Sequence, residues 1–174
     1  MRGFLTYSRQ NDQIRPGQQK GEVTLFREAL ASALGQVEGD DVTIFQDTSN
    51  IGTSQAWEQN ILSELEQAAF SVAILSQSLM RSEWCCREVE IAMARPIPVF
   101  PVYWIDARFF DEPDRISMIR EAPHRVRIAA FQDRLAALQW VDRRHLKNLP
   151  YDDQAVLDFN DSLAREISDQ LAGM

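Results

Sequence analysis

Apolar residues fall into short runs separated by longer amphipathic stretches, and this alternation sets the expected elements. Gly3 to Ser8, GFLTYS, is a brief apolar and aromatic run that reads as a buried strand. Polar residues follow to Lys20, with Pro16-Gly17 marking a turn. Val23, Phe26, Leu30 and Ala33 then recur at helical spacing until Gly35. Asp41 to Phe45, DVTIF, predicts a second strand. The loop QDTSNIGTS after it ends at Ser54, an N-cap for a helix carrying Trp57, Ile61, Leu65 and Ala68 on one stripe. Phe70 to Ser76, FSVAILS, is the most apolar stretch of the first half and predicts a central strand covered on both faces. Ser82 caps a helix expected from Glu83 to about Arg95, where Pro96 stops it. Ile97 to Trp104 predicts a fourth strand, placed away from the sheet centre or beside a bulge because Pro98 and Pro101 each lack a ladder donor. After a polar stretch comes a helix with Ile128, Phe131, Leu135 and Leu138 on one face. Leu138 to Asp142 reads as a short edge strand. Val156, Phe159, Leu163, Ile167 and Leu171 form a closing amphipathic helix.

Strands alternating with helices through the whole chain imply a parallel sheet with helices on both faces. The expected class is α/β, a flavodoxin-like open parallel five-stranded sheet. In that strand order the ligand crevice lies at the carboxyl ends, between the first and third strands. The loops after Ser8 and Ser76 would then face each other.

The 174 residues suit one domain spanning 1–174, and 45% hydrophobic against 25% charged residues gives enough apolar surface for a core without metal or disulfide staples. A net charge of -8 argues against a general nucleic-acid binder, which needs lysines and arginines to neutralise phosphates. Locally the sign reverses: residues 1–21 carry Arg2, Arg9, Arg15 and Lys20 against Asp12 alone, either a place to meet an anionic small ligand or an ordinary basic patch. Cys85 and Cys86 are the only cysteines and are adjacent, which fits a reduced cytoplasm and completes neither a zinc site nor a disulfide framework. No apolar run approaches a membrane span, and no signal core is seen. No metal or cofactor is expected.

The stretch SEWCCREVE, residues 82–90, carries the candidate chemistry. On its helix Cys85, Val89 and Ala92 form the core stripe, and Trp84, Glu88 and Ile91 lie on a neighbouring stripe about 100° away. Glu88 therefore sits at the margin of the buried face with a tryptophan one turn before it. Desolvation there would raise its pKa, while Arg87 or the helix N-terminus would lower it. Two readings stand on geometry: a rim glutamate paired with a neighbouring arginine, or an acid held at a crevice for chemistry.

GFLTYS, VTIFQD, Trp57 with Ile61, SVAILSQSLMRSEWCCREVEIA and IPVFPVYW arrive in the order and spacing of the toll/interleukin-1 receptor (TIR) domain. The chain resembles that family over its whole length, most specifically at Ser76, Leu79, Ser82, Trp84-Cys85 and Glu88. The resemblance to bacterial-type, NAD-cleaving members implies an NAD+ hydrolase or ADP-ribosyl cyclase-like enzyme. NAD+ is then substrate rather than cofactor, and the activity is latent until the domains cluster. Glu88 would be the catalytic carboxylate and Trp84 part of the wall at the nicotinamide side. Tyr7, Ser8 and Arg9 would line the nucleotide cleft, with Arg9 either meeting the pyrophosphate or solvated. Ser76, in the matched motif, and Asp47 would also contact the substrate. Asp47 to Ser54 matches the mobile loop through which such domains assemble, and Trp57 has a packing or a ligand role. Cleaving a nicotinamide–ribose bond passes through an oxocarbenium-like state whose leaving group departs neutral, so one carboxylate and no general acid can suffice. The family pattern has glycine three residues before the tryptophan, where this chain has Ser54.

The resemblance further implies a cytoplasmic antiviral immune-signalling role, with other TIR domains and a fused or separate sensor as partners, and neither nucleic acid nor membrane. The competing reading is a non-catalytic TIR–TIR adaptor. A phospho-receiver fails on residues: the first and third strands end at Tyr7-Ser8 and Leu75-Ser76, where an acidic pair and an acceptor aspartate would stand.

Overall fold

β1 (Arg2–Thr6), β2 (Thr43–Gln46), β3 (Phe70–Leu75), β4 (Val99–Tyr103) and β5 (Val141–Asp142) form one all-parallel sheet in the order β2-β1-β3-β4-β5. The structure is a computed structural model that describes residues 1–47, 55–105 and 122–174, and of 55, 57 and 122–125 the backbone only. The strand order is the flavodoxin-like one, with β1 and β3 side by side at the point where the winding reverses.

Strand periodicity divides the core. Leu5, Val72, Ile74 and Val102 point to one face, where α1 (Glu22–Glu38) and the last helix, Gln154–Ala172, bring Val23, Phe26, Leu30, Leu163 and Ile167. Phe4, Ala73 and Leu75 point to the other face. There they meet α2 (Gln55–Glu66), α3 (Gln77–Arg81), α4 (Glu83–Met93) and α5 (Ala122–Ala136) through Ile61, Leu65, Met80, Val89, Ile128 and Phe131. The closing helix Gln154–Ala172 is α6. Thr6 follows Phe4 on the α4 side, and this places a buried hydroxyl opposite Glu88.

Two elements, α3 and β5, differ from expectation, and β4 lies off the sheet centre as its prolines predict. A separate short helix, α3, precedes α4, because the Ser76 hydroxyl caps it by accepting from the Leu79 N–H at 3.1 Å. β5 pairs only through Val141 and Asp142, since Leu138 is drawn into the end of α5 by its N–H donating to the Leu135 carbonyl. β4 lies one strand from the centre yet tolerates Pro101. The Trp104 N–H donates to Leu75 on β3, so by alternation Pro101 faces the β5 side, where pairing starts only at Val102. The expected cap Ser54 and the polar stretch before α5 lie outside the described residues. On α6 the buried stripe takes in Asn160 at 2% exposure, while Phe159 is only partly covered.

Gly3 shows how closely β1 packs. A Cβ there would collide with the Phe70 ring. Gly3→Ala is therefore expected to lower unfolding free energy by about 1–3 kcal/mol in urea titration, whereas an unchanged midpoint would mean that the ring moves freely.

Candidate active site

α4 begins where the sequence places it. The Ser82 hydroxyl accepts from the Cys85 N–H at 3.2 Å, and the helix runs to Met93 before Pro96. That register turns Trp84 and Glu88 toward the carboxyl end of β1. There an open cleft of about 400 Å³ is lined by Tyr7, Ser8, Arg9, Asp47, Trp84 and Glu88, with Phe4, Leu5, Ser82 and Cys85 completing its walls.

Glu88 is 7% exposed. Arg87, the obvious arginine partner, turns instead to Glu58 on α2 at 2.7 Å, with its guanidinium 5.4 Å from the centre of the Trp84 ring. Among the described residues Glu88 makes no ion pair, so the rim-pair alternative does not hold. Burial pushes its carboxyl up to about 8. The Thr6 hydroxyl and the Trp84 side chain pull it back down by hydrogen bonding, and the charge of Asp47 adds a smaller upward push. The Thr6 hydroxyl reaches no described partner at full hydrogen-bond geometry; its contact with Glu88 is accordingly a weak one, in keeping with burial winning.

The rim is tied together. The Tyr7 phenol donates to the Asp47 carbonyl at 2.7 Å, and Arg9 pairs with the Asp47 carboxylate at 3.3 Å. The Cys85 thiol donates to the Tyr7 carbonyl at 3.4 Å, joining α4 to the end of β1, and burial pushes that thiol up to about 12, so it stays neutral.

Of the residues singled out in the sequence, Glu88, Trp84, Tyr7, Ser8, Arg9 and Asp47 thus come together. Ser76 does not line the cleft. Besides capping α3, its fully buried hydroxyl donates to the Asn11 side chain at 2.7 Å, which makes it a structural residue. The Trp57 side chain and residues 48–54 of the assembly loop lie outside the described residues. Thr6 and Cys85 were missed. Strand alternation offered a signal for Thr6, which shares a face with Phe4. No metal-ligand group of three or more acidic, cysteine or histidine side chains occurs among the described residues, and none of the described helices is long and apolar enough to cross a membrane.

The fold and site define a doubly wound α/β protein with a desolvated acid in its switch-point crevice. The chain belongs to the TIR-domain family: the profile described as TIR domain matches residues 21–157. It is similar in fold to the chains titled "Structure of the activated Roq1 resistosome directly recognizing the pathogen effector XopQ (TIR domains)". The TM-score is 0.57 and the identity 16%, over 95% of this chain and 98% of that one. No curated protein matches the chain in sequence.

Proposed function

We propose that this TIR domain is an NAD+ glycohydrolase switched on by self-assembly, serving as the effector of a bacterial antiphage immune signal. The observation that carries the reading is Glu88: a buried carboxyl with no ion-pair partner among the described residues, facing a cleft beside an aromatic side chain. A carboxyl kept free of an arginine is available to the substrate. In the reaction the bond between nicotinamide N1 and the ribose anomeric carbon breaks, and its electron pair leaves with the pyridine nitrogen, neutralising the ring. Positive charge developing on the ribose is stabilised by Glu88, and the ribose hydroxyls are held by the same carboxylate. Water then adds to the anomeric carbon and loses a proton, giving ADP-ribose. Attack by the adenine of the same molecule would instead give the cyclic product.

Trp84 supplies the wall on the nicotinamide side. Tyr7 and Ser8 border the cleft, and Arg9 beside them would meet the pyrophosphate. Purified protein forced to oligomerise and incubated with NAD+ is expected to yield nicotinamide with ADP-ribose or its cyclic isomer, resolved by chromatography. Absence of nicotinamide above the blank would favour the adaptor reading, in which signalling survives Glu88→Ala but fails on changes in Asp47 to Ser54.

A further inference from the structure

We propose that the cleft selects its substrate by the fixed positive charge of a quaternary N-substituted pyridinium ring, which displaces a proton from Glu88 as it binds. The inference rests on the glycohydrolase reading and deepens it, because it names which part of a dinucleotide the site recognises.

The charges around Glu88 carry it. From β1 and its following loop come the Thr6 hydroxyl, the Tyr7 phenol, which is committed to the Asp47 carbonyl, and Arg9. From the end of β2 comes Asp47, whose carboxylate is 3.3 Å from the Arg9 guanidinium. α4 contributes Trp84 and the neutral Cys85 thiol, while Arg87 on the same helix is held by Glu58 of α2. Arg9 and Asp47 neutralise each other, and Arg87 and Glu58 do the same. The one lining group whose charge has no counter-ion among the described residues is Glu88 itself.

Such a carboxyl, 7% exposed, keeps its proton in the empty cleft at neutral pH, since desolvation penalises the anion. A phosphate brought near it would oppose its ionisation and supply no countercharge. A pyridinium ring supplies the missing countercharge. Its arrival stabilises the anion of Glu88, a proton leaves to solvent, and charge in the cleft stays balanced. When the glycosidic bond breaks the ring becomes neutral, and its hold on Glu88 weakens as it becomes the leaving group. The reduced dihydropyridine, which carries no ring charge, would not exchange for the proton.

The test uses 1-methylnicotinamide, a permanent monocation without ribose or phosphate, in calorimetric titrations from pH 6 to 9. Two buffers of different ionisation enthalpy are used at pH 7. Because Glu88 titrates near 8, affinity is expected to rise about 50-fold between pH 6 and 8 and then level, with close to one proton released per cation at pH 7. Neutral nicotinamide should bind with no such pH dependence. Glu88→Gln should bind the cation weakly and without proton release, and Asp47→Asn should move the midpoint to lower pH. Flat affinity for the cation, no proton release, or Glu88→Gln binding as tightly as wild type at pH 9 would overturn the inference. Nicotinamide release by clustered protein alongside flat cation binding would sink this inference alone. Proton-coupled binding with no release would sink the glycohydrolase reading instead.

Discussion

Glu88→Gln is expected to melt at a higher temperature than wild type, by a margin that widens with pH. In the unfolded chain this glutamate ionises near the ordinary value of 4.5, whereas burial holds the folded carboxyl at about 8. Between those values the folded state keeps a proton that the unfolded state has lost. Raising the pH therefore favours unfolding, by about 1.4 kcal/mol for each pH unit. Below 4.5 both states are protonated, and above 8 both are ionised, so the slope ends at either side. Glutamine has no charge to desolvate and no such slope. Melts at pH 5, 7 and 9 should nearly coincide at 5 and separate by about 10–20 °C at 9. Parallel curves would show that Glu88 has an ordinary carboxyl. A position that would be more stable as an amide, yet carries an acid, is what a site maintained for chemistry looks like.

Phe26→Ala should be the most costly single truncation on the opposite face of the sheet, at about 3–5 kcal/mol in urea unfolding. Phe26 is fully buried and meets the Trp104 ring edge-on at 5.3 Å. Above that pair lies Arg143, 3% exposed, with its guanidinium 3.9 Å from the Trp104 ring centre and 5.6 Å from that of Tyr151. Burial lowers the Arg143 pKa, and stacking on rings is its main compensation, because its only described side-chain hydrogen bond is a 3.4 Å contact to the Tyr151 hydroxyl. Removing Phe26 opens a cavity beneath this stack. Phe26→Leu should cost under about 1.5 kcal/mol. Since Phe26 lies on α1 in the cluster shared with α6, and Glu88 lies on α4 facing β1 on the other side, nicotinamide release should fall only with the folded fraction. A full loss of turnover in folded Phe26→Ala would break the separation of the two faces.

Much of this was legible in residue spacing. The runs at Phe4, Ile44, Val72 and Val102 read directly as buried strands, and Ser82 with Pro96 bounded α4, so the position of Glu88 on its helix followed from counting. What could not be read was choice of partner. Arg87 was equally able to serve Glu88 or Glu58, and only the packing of α2 against α4 decides for Glu58. Ser76 matched the family motif and was carried into the site, but capping α3 and bonding Asn11 consume its hydroxyl. Arg143 gave no sign of burial, because a charged residue enters a core only when rings from distant segments, here Phe26, Trp104 and Tyr151, converge on it. Thr6 was one alternation step from Phe4, yet its role depends on Glu88 lying across from it, a tertiary relation.

The account stands on one carboxyl that is free to meet a substrate, and initial rates of nicotinamide release from saturating NAD+ test it most directly. Wild type and Glu88→Gln would be clustered to the same extent and compared at pH 8, with melting curves confirming that both are folded. The expected result is steady release by wild type and a rate at least about a hundredfold lower for the variant. Equal rates from the two proteins would contradict it.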